Sequence, residues 1–364
     1  MNEIKNIKER IERFNKFWNR EQTERPTVGF QIGSPFVACR LEAGRKLLVE
    51  NMPVTPDMLN VEEFIESYEK NYEISLQVEQ DSFWTAEPYN GIPWLEGIAG
   101  CPIVGSKASF RSREYINDAD DLDNIVLSEA NPWYQKYFEF LEVLIKASKG
   151  RYPVGQPILR GISDLIGAVM GQEKLIYSLY DHPDSIKRFV ERATDFFIKF
   201  IKKQEEMLPD FYGGYSIGFY NIWAREKSMW FQDDISCLFS PQLYREFIHR
   251  SNVQISKACK YNTIHLHPAS FHLLNYWLGI EELKAIEVNR DVGGPSVKEM
   301  LPALKKIQES KPLIIRGIMD KEDIDTALNN LSYRGLHLYQ LTETVDEAKF
   351  WMEYIVNNSK AQDD

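Results

Sequence analysis

The chain has 364 residues, of which 43% are hydrophobic and 27% are charged. This composition excludes collagen-like and disordered chains, and the length allows either two or three domains or one large barrel. Lys and Arg number 43 against 54 Asp and Glu, and the resulting net charge of −11 argues against binding to nucleic acid. The four cysteines show no CxxC spacing, and no apolar run of about 18 residues is present to cross a membrane. We therefore expect a soluble, cytoplasmic protein.

An amphipathic helix is predicted at the start of the chain. Its apolar side chains recur every three or four residues, which is the spacing of one helix face. They are Ile4, Ile7, Ile11, Phe14 and Trp18. We assign residues 1–24 to this N-terminal helical extension, residues 25–355 to one main domain and residues 356–364 to a polar C-terminal tail.

Short apolar runs bounded by turn residues predict about eight strands along the main domain. These runs cover residues 25–30, 81–88, 153–161, 210–221, 263–267, 283–288, 312–318 and 335–341. Helical patterns separate the later runs, including 172–208 with a break at 182–184, and they begin at the capping signals Ser240, Ser296, Asp320 and Thr344. Buried strands that alternate with helices predict a parallel α/β fold. No dinucleotide-binding or P-loop motif occurs, which favours a closed (β/α)8 TIM barrel over an open nucleotide-binding sheet.

A pair of histidines follows the run at 263–267. His265 and His267 lie on the same face of a strand at its carboxyl end, where a barrel places its active site. Two such imidazoles can bind one zinc ion if another strand supplies a third ligand and one position stays open. Glu287, at the end of the next apolar run, is the best third ligand, although a salt bridge with an arginine would also explain it. The alternative for the histidines is a structural or an acid/base role.

Further polar residues after predicted strands are candidate catalytic groups. Asp164 follows the strand at 153–161 and could bind substrate, act as a base or cap the next helix. Of the adjacent carboxylates Asp233 and Asp234, at most one should enter the site, and we select Asp234. Glu87 ends the strand at 81–88 and is a third catalytic candidate.

Three residues are predicted to contact substrate. Tyr220 and Trp223 belong to a glycine-rich aromatic stretch that could line a pocket for a flat or apolar ligand. Gln340 ends the last predicted strand. Aromatic residues of this kind also occur in hydrophobic cores, so a binding role and a packing role both remain possible for Tyr220 and Trp223.

Two long segments resemble the uroporphyrinogen decarboxylase superfamily. The first is GISDLIGAVMGQEKLIYSLYDHPDSIKRFVERATDFFIKFIKKQ (161–204), and the second is DDISCLFSPQLYREFIHRSNVQISKACKYNTIHLHP (233–268). Pro26 fits the usual start of that family, and the resemblance covers about residues 25–355. It implies a (β/α)8 barrel with an N-terminal helical extension and a site at the carboxyl ends of the strands.

The superfamily contains cofactor-free decarboxylases and methyltransferases that use zinc to activate a thiol against a methylated corrinoid. The segment GFQIGSPFVACRLEAGRK (29–46) lacks the arginine pattern of the decarboxylases, and Thr342 or Glu343 stands near the position of their late histidine. The methyltransferases carry His-x-Cys at His265–His267 and a further cysteine near Thr342, so only His265 carries over directly. A metal site here would therefore use nitrogen and oxygen ligands.

The leading hypothesis is a methyltransferase in which His265, His267 and Glu287 hold zinc. Asp164 and Asp234 would then bind substrate or move protons. The alternatives are a cofactor-free decarboxylase, in which Asp164 or Glu87 stabilises a developing cation, and a non-catalytic protein that binds a tetrapyrrole or corrinoid. The expected partners are a small-molecule substrate, a corrinoid or corrinoid protein, and a second copy in a homodimer.

Overall fold

The structure is a computed structural model that describes residues 6–360. Its strands are β1 (Thr27–Ile32), β2 (Pro53–Val54), β3 (Ile103–Gly105), β4 (Phe110–Ser112), β5 (Tyr215–Ile217), β6 (Ile222–Ala224), β7 (Ser228–Gln232), β8 (Tyr261–Leu266), β9 (Ala285–Arg290), β10 (Leu313–Gly317) and β11 (Leu336–Thr342). Its helices are α1 (Ile7–Asn19), α2 (Glu42–Arg45), α3 (Ile65–Ser75), α4 (Trp94–Ile98), α5 (Pro132–Ser148), α6 (Ile162–Met170), α7 (Gln172–Asp181), α8 (Pro183–Met207), α9 (Pro241–Phe247), α10 (His249–Ala258), α11 (Leu274–Leu278), α12 (Val297–Gln308), α13 (Lys321–Asn330) and α14 (Val345–Asn358).

A six-stranded parallel sheet forms the centre of the molecule. Its strand order is β1-β11-β10-β9-β8-β7, and every neighbouring pair is parallel. Connections between consecutive strands from β7 to β11 contain helices, as parallel neighbours require. All six carboxyl ends therefore meet at one edge of the sheet, which is the edge where α/β enzymes place their sites.

Two of the predicted strands exist only as single bridges. Ala86 pairs with Val154, and Arg160 pairs with Gln232 of β7, both in the parallel sense. Where eight regular strands and a closed barrel were expected, the described residues form a curled sheet of six parallel strands and two irregular segments, 81–88 and 153–161. The first segment is irregular because two of its backbone N–H groups donate to Asn221. The Phe83 N–H donates to the main-chain oxygen of Asn221, and the Thr85 N–H donates to its side-chain oxygen. In the second, Pro153 and Pro157 have no N–H to donate.

The prediction of a parallel strand at 210–221 is wrong. This stretch forms the first arm of a small antiparallel hairpin in which β5 pairs with β6, and Asn221 turns the chain with a left-handed φ of 56°. The parallel strand is β7, which follows directly and is buried at all five residues. Fully buried strands have no alternating pattern, so nothing in SMWFQ separated it from the aromatic stretch before it.

Helix α1 covers the amino end of the sheet, as its apolar stripe predicts. Phe14, Phe17 and Trp18 are buried, and the Trp18 indole donates a hydrogen bond to the Trp223 carbonyl over 2.8 Å. Phe14 and Phe17 contact the ring of His337, which stands near the start of β11. Ile4, predicted in the same stripe, lies outside the described residues.

The later helices begin where the sequence predicts. The side chains of Ser240, Ser296, Asp320 and Thr344 each accept the backbone N–H three residues on. The break between α7 and α8 falls at His182, and α14 continues to Asn358, so the predicted polar tail begins as helix. Residues 361–364 of that tail lie outside the described residues. Within residues 6–360 no helix is both long enough and apolar enough to cross a bilayer.

Candidate active site

Three neighbouring strands bring the candidate ligands together. His265 is the fifth residue of β8 and His267 follows that strand directly, while Asp234 lies two residues beyond the end of β7. Glu287 is in β9, opposite His265 in the parallel register, and Asp291 comes directly after β9. The parallel pairing of β7, β8 and β9 therefore collects all five side chains at the carboxyl edge of the sheet.

Two histidines and one carboxylate converge on a single point. The Nε2 atoms of His265 and His267 are 3.1 Å apart, and His267 Nε2 lies 3.9 Å from Asp234 Oδ2. One nitrogen of each histidine and one oxygen of Asp234 all lie within 4.8 Å of one another. We call these three residues the triad. Asp234 is the carboxylate on the Nε2 side of the histidine pair, whereas Glu287 contacts the Nδ1 atom of His265.

The second nitrogen of each ring faces a carboxylate. His265 Nδ1 makes a short hydrogen bond with Glu287 Oε2, and His267 Nδ1 bonds Asp291 Oδ1 over 2.7 Å. Because an ionised carboxylate only accepts hydrogen bonds, both Nδ1 atoms carry hydrogen. The two Nε2 lone pairs then face each other, and either a proton or a metal cation must lie between them. Carboxylates behind the imidazoles are the usual outer shell of a metal site.

Hydrogen bonds fix the two supporting carboxylates. The Tyr220 hydroxyl donates to Glu287 Oε2 over 3.1 Å, and the Asn289 amide donates to Asp291 Oδ1 over 2.5 Å. Among the described residues Glu287 forms no salt bridge with an arginine, and Arg290 pairs with Asp323 over 2.8 Å. Glu287 Oε2 contacts Nδ1 of His265, away from the point on which the two Nε2 atoms converge, and its assignment as a metal ligand stays a prediction.

The charge around His267 favours its protonated form. Burial lowers the pKa of His267, but the hydrogen bond to Asp291 and the charge of Asp234 outweigh burial and raise the pKa to about 9. The same hydrogen bond lowers the pKa of Asp291 against the opposing effect of burial. An anionic pocket of this kind attracts a cation, either the proton on His267 or a metal ion that replaces it.

Asp234 has an oxygen available as a ligand. Its Oδ2 accepts a hydrogen bond of 2.8 Å from the Gln232 amide, and its Oδ1 is buried with no hydrogen-bond partner among the described residues. A buried oxygen without a donor carries a large desolvation cost, which a bound cation would remove.

Asp164 lies beside the triad, in the wall of a cavity of about 410 Å³ that Asp234, Gln232 and Arg160 also line. Its Oδ1 accepts the Ile235 N–H over 2.8 Å, and its Oδ2 has no partner. Gly161 occupies the N-cap of α6, so Asp164 does not cap its own helix. Burial, and then the charge of Asp234, raise the pKa of Asp164 well above its usual value. Asp164 is therefore a buried carboxyl in the cavity wall, and its surroundings favour the neutral form more than water does.

Two of the predicted substrate-binding residues have structural partners away from the triad. Trp223 packs beneath the sheet, and its indole donates to the Phe211 carbonyl over 2.9 Å. The Gln340 amide both donates to and accepts from the Met319 backbone. Tyr220 reaches the site through Glu287, and Glu87 lies in the interior of the sheet, beside an arginine pair that is described below.

Sequence reasoning missed Asp291, Asn289, Arg40 and Arg316. Asp291 and Asn289 stand at the end of β9, so the rule that selected His265 would also have found them. Arg316 lies in β10 and Arg40 in the segment after β1. The predicted strand at 312–318 placed Arg316 in the sheet but gave it no role in binding, and nothing in the sequence around Arg40 distinguishes it from a surface residue.

Comparison with known proteins yields a fold and no family. No family model matches the chain, and no curated protein matches its sequence. Among solved structures, a methyltransferase from Methanosarcina mazei is similar, with a TM-score of 0.64 and 12% identity over 95% of this chain and 97% of that one. At that identity the likeness shows the fold alone, over nearly the whole length of both chains. The resemblance to the uroporphyrinogen decarboxylase superfamily stays a sequence-based prediction.

Proposed function

We propose that the protein is a metal-dependent methyltransferase whose metal is held by His265, His267 and Asp234. The observation that carries the proposal is the approach of two Nε2 atoms to 3.1 Å with a carboxylate behind each ring. A purely structural pair of histidines would not need its Nε2 atoms to face each other beside Asp234, which lines a cavity of about 410 Å³.

The donor set fits zinc. Two imidazole nitrogens and one carboxylate oxygen form a common ligand set of catalytic zinc, which leaves a fourth position for substrate. The same set also suits non-haem iron, so the identity of the metal is part of the test. Glu287 and Asp291 would orient the two imidazoles and increase their basicity.

Bound zinc would supply a Lewis acid that stabilises the thiolate form of a methyl acceptor. The residues of this chain do the remaining work. Asp164 Oδ2 has no hydrogen-bond partner among the described residues and belongs to the cavity wall, where the protonated carboxyl would donate a proton or a hydrogen bond to substrate. Tyr220 fixes Glu287, and Glu287 fixes the ring of His265, so the Nε2 lone pair stays directed at the same point.

Exposed apolar side chains support a protein partner that carries a corrinoid. Phe36, Leu238, Val292 and Ile318 are all exposed, and they lie in segments that follow β1, β7, β9 and β10. Those segments leave the carboxyl edge of the sheet, where the triad lies. Apolar residues exposed around a site are typical of a docking surface.

The first test is the metal content of protein purified without an affinity tag or added metal. We expect about one equivalent of zinc in the unmodified protein and a stoichiometric loss in His267→Ala. His272→Ala is the matched control, because His272 bonds only the Ala269 and Phe239 carbonyls. A protein that stays metal-free after zinc is added would contradict the proposal and favour decarboxylation or ligand binding.

The second test is transfer of a methyl group from methylcobalamin to a small thiol. We expect turnover that requires the metal and stops with a chelator. Asp164→Asn keeps the shape of the side chain but removes its acidic proton, so we expect a lower turnover with unchanged metal content. Metal binding without any methyl transfer would support the metal site but contradict the proposed reaction.

A further inference from the structure

Two arginines lie inside the mouth of the sheet without a carboxylate partner. Arg316 is 7% exposed; it donates to Gln31 Oε1 over 2.8 Å and to Asn289 Oδ1 over 3.2 Å, and it stacks 4.2 Å above the Phe219 ring. Arg40 donates through Nε to the Ser34 carbonyl over 3.3 Å. All of these partners are neutral, and neither arginine forms an ion pair with any residue in 6–360.

Each guanidinium also has a nitrogen with no acceptor. Arg40 Nη2 and Arg316 Nε are buried and have no hydrogen-bond partner among the described residues. Arg316 contacts Gln31 and Phe219, and each of these lines a small cavity that Arg40 also lines. Burial lowers the pKa of Arg40, and the charge of Arg316 lowers it further. Two buried like charges with unused donors are costly unless an anion accepts from them.

Glu87 is the carboxyl that interacts with both arginines, and it does not neutralise them. Burial raises the pKa of Glu87 to about 8 despite the opposing charges of Arg40 and Arg316, so the carboxyl is mainly neutral at pH 7. Its Oε1 accepts from the Asn90 amide and its Oε2 has no partner. The arginine pair therefore keeps a net positive charge.

Space for a small group lies beside Arg40. Two cavities of about 50 and 40 Å³ share Arg40, Asn71, Trp84, Asn221 and Tyr339 as walls. Each has room for a few water-sized groups, which matches a carboxylate or another small oxyanion. The Asn71 amide, the Asn221 amide and the Tyr339 hydroxyl add polar groups to these walls.

We propose that Arg40 and Arg316 bind an oxyanionic group of the substrate. A guanidinium presents N–H donors in a fork that matches a carboxylate, and a neutral Glu87 can add one O–H donor. Hydrogen bonds connect this anion site to the triad: Arg316 contacts Asn289, Asn289 contacts Asp291, and Asp291 contacts His267. The inference rests on the proposed function for the reaction, since it names the substrate as a small acid.

The test measures anion binding by the full chain, with zinc content measured on the same samples. The ligands are sodium acetate, methanesulfonate and inorganic phosphate at constant ionic strength, and acetamide serves as the neutral isostere of acetate. We expect at least one of the anions to raise the thermal midpoint saturably, with no effect of acetamide. Arg316→Gln and Arg40→Gln should each weaken that binding about tenfold or more. Arg188→Gln, which removes an exposed arginine paired with Asp123, should not.

The outcomes separate this proposal from the metal site. Saturable anion binding that depends on both arginines supports it even if the protein contains no zinc, and the ligand with the largest shift identifies the head group. Equal shifts with acetate and acetamide, or equal anion binding by the wild type and Arg40→Gln, would overturn it. Arg40 lies in a connecting segment outside the sheet, so we expect Arg40→Gln to fold. This variant can therefore test the proposal even if Arg316→Gln, in β10, does not fold.

Discussion

The two ends of the parallel sheet hold histidines whose pKa values are shifted in opposite directions. At the carboxyl edge, Asp291 and Asp234 raise the pKa of His267 to about 9. At the amino end, burial lowers the pKa of His337 to about 3, and the opposing charge of Asp81 does not compensate. His337 packs between Phe14 and Tyr339 and is fully buried, whereas a third of the His267 side chain is exposed.

The difference agrees with the proposed function, in which the amino end serves stability and the carboxyl end serves chemistry. Packing fixes a neutral imidazole at the amino end, where α1 closes the sheet. Carboxylates charge an imidazole at the carboxyl end, where the connecting segments leave a cavity. This division is the usual one in barrels of parallel strands, and changes at the two ends should therefore have separable effects.

The largest expected effect is at the amino end, on removal of an α1 anchor. Phe14→Ala removes a fully buried ring, and we expect a loss of about 3–5 kcal/mol in the free energy of unfolding with unchanged zinc affinity. Denaturant unfolding and zinc titration measure the two quantities. Phe350→Ala is the control, because Phe350 is 55% exposed and should cost less than about 0.5 kcal/mol. A parallel loss of zinc affinity in Phe14→Ala would show that the two ends are coupled.

The second prediction concerns the pH dependence of stability. The unfolded chain protonates His337 below about pH 6.5, whereas the native state keeps the ring neutral down to about pH 3. In that window the unfolded state binds more protons, so this contribution to stability is present above pH 6.5 and is lost as the pH falls. The loss is about 1.4 kcal/mol for each pH unit.

His337→Gln removes this titration. The stability of the variant should fall less than that of the wild type between pH 8 and pH 5, by about 2 kcal/mol. Chemical unfolding at several pH values measures the difference. Parallel stability curves for the two proteins would contradict a neutral His337 in the native state.

Much of this arrangement is readable from the sequence, for a physical reason. Side chains at the ends of parallel strands share one edge, so the apolar runs that hold His265 and Glu287 were sufficient to place both histidines and Glu287 together, but Glu287 rather than Asp234 was selected as the third ligand. The cap at Ser296 was also predictable, because a capping box is a local interaction. The similarity in fold to a solved methyltransferase agrees with this part of the prediction.

The features that sequence could not supply depend on distant contacts. The segment 81–88 is irregular because Asn221, far along the chain, takes its hydrogen bonds. Arg316 is buried because Gln31, which is 285 residues away, accepts from it. The apolar run before Glu287 predicted that it lies in a strand beside His265. It could not predict which ring nitrogen of His265 the carboxylate contacts.

The smallest effect is expected from a group that supports the triad without joining it. Asp291→Asn keeps the size of the side chain but removes the charge that holds the Nδ1 hydrogen of His267. We expect zinc affinity to fall about 10- to 100-fold, with a change in stability below about 1 kcal/mol. Competition with a chromophoric chelator measures the affinity, and Asp195→Asn, at an exposed carboxylate in α8, is the control.

The direction of this effect distinguishes the two cations that could lie between the histidines. With a metal, loss of Asp291 weakens a ligand, and metal affinity falls. With only a proton, Asp291→Asn removes the largest force that raises the pKa of His267, and a ring signal followed by NMR should titrate at lower pH while zinc binding stays absent. A variant that binds zinc as tightly as the wild type would show that the carboxylate behind His267 does not tune the metal.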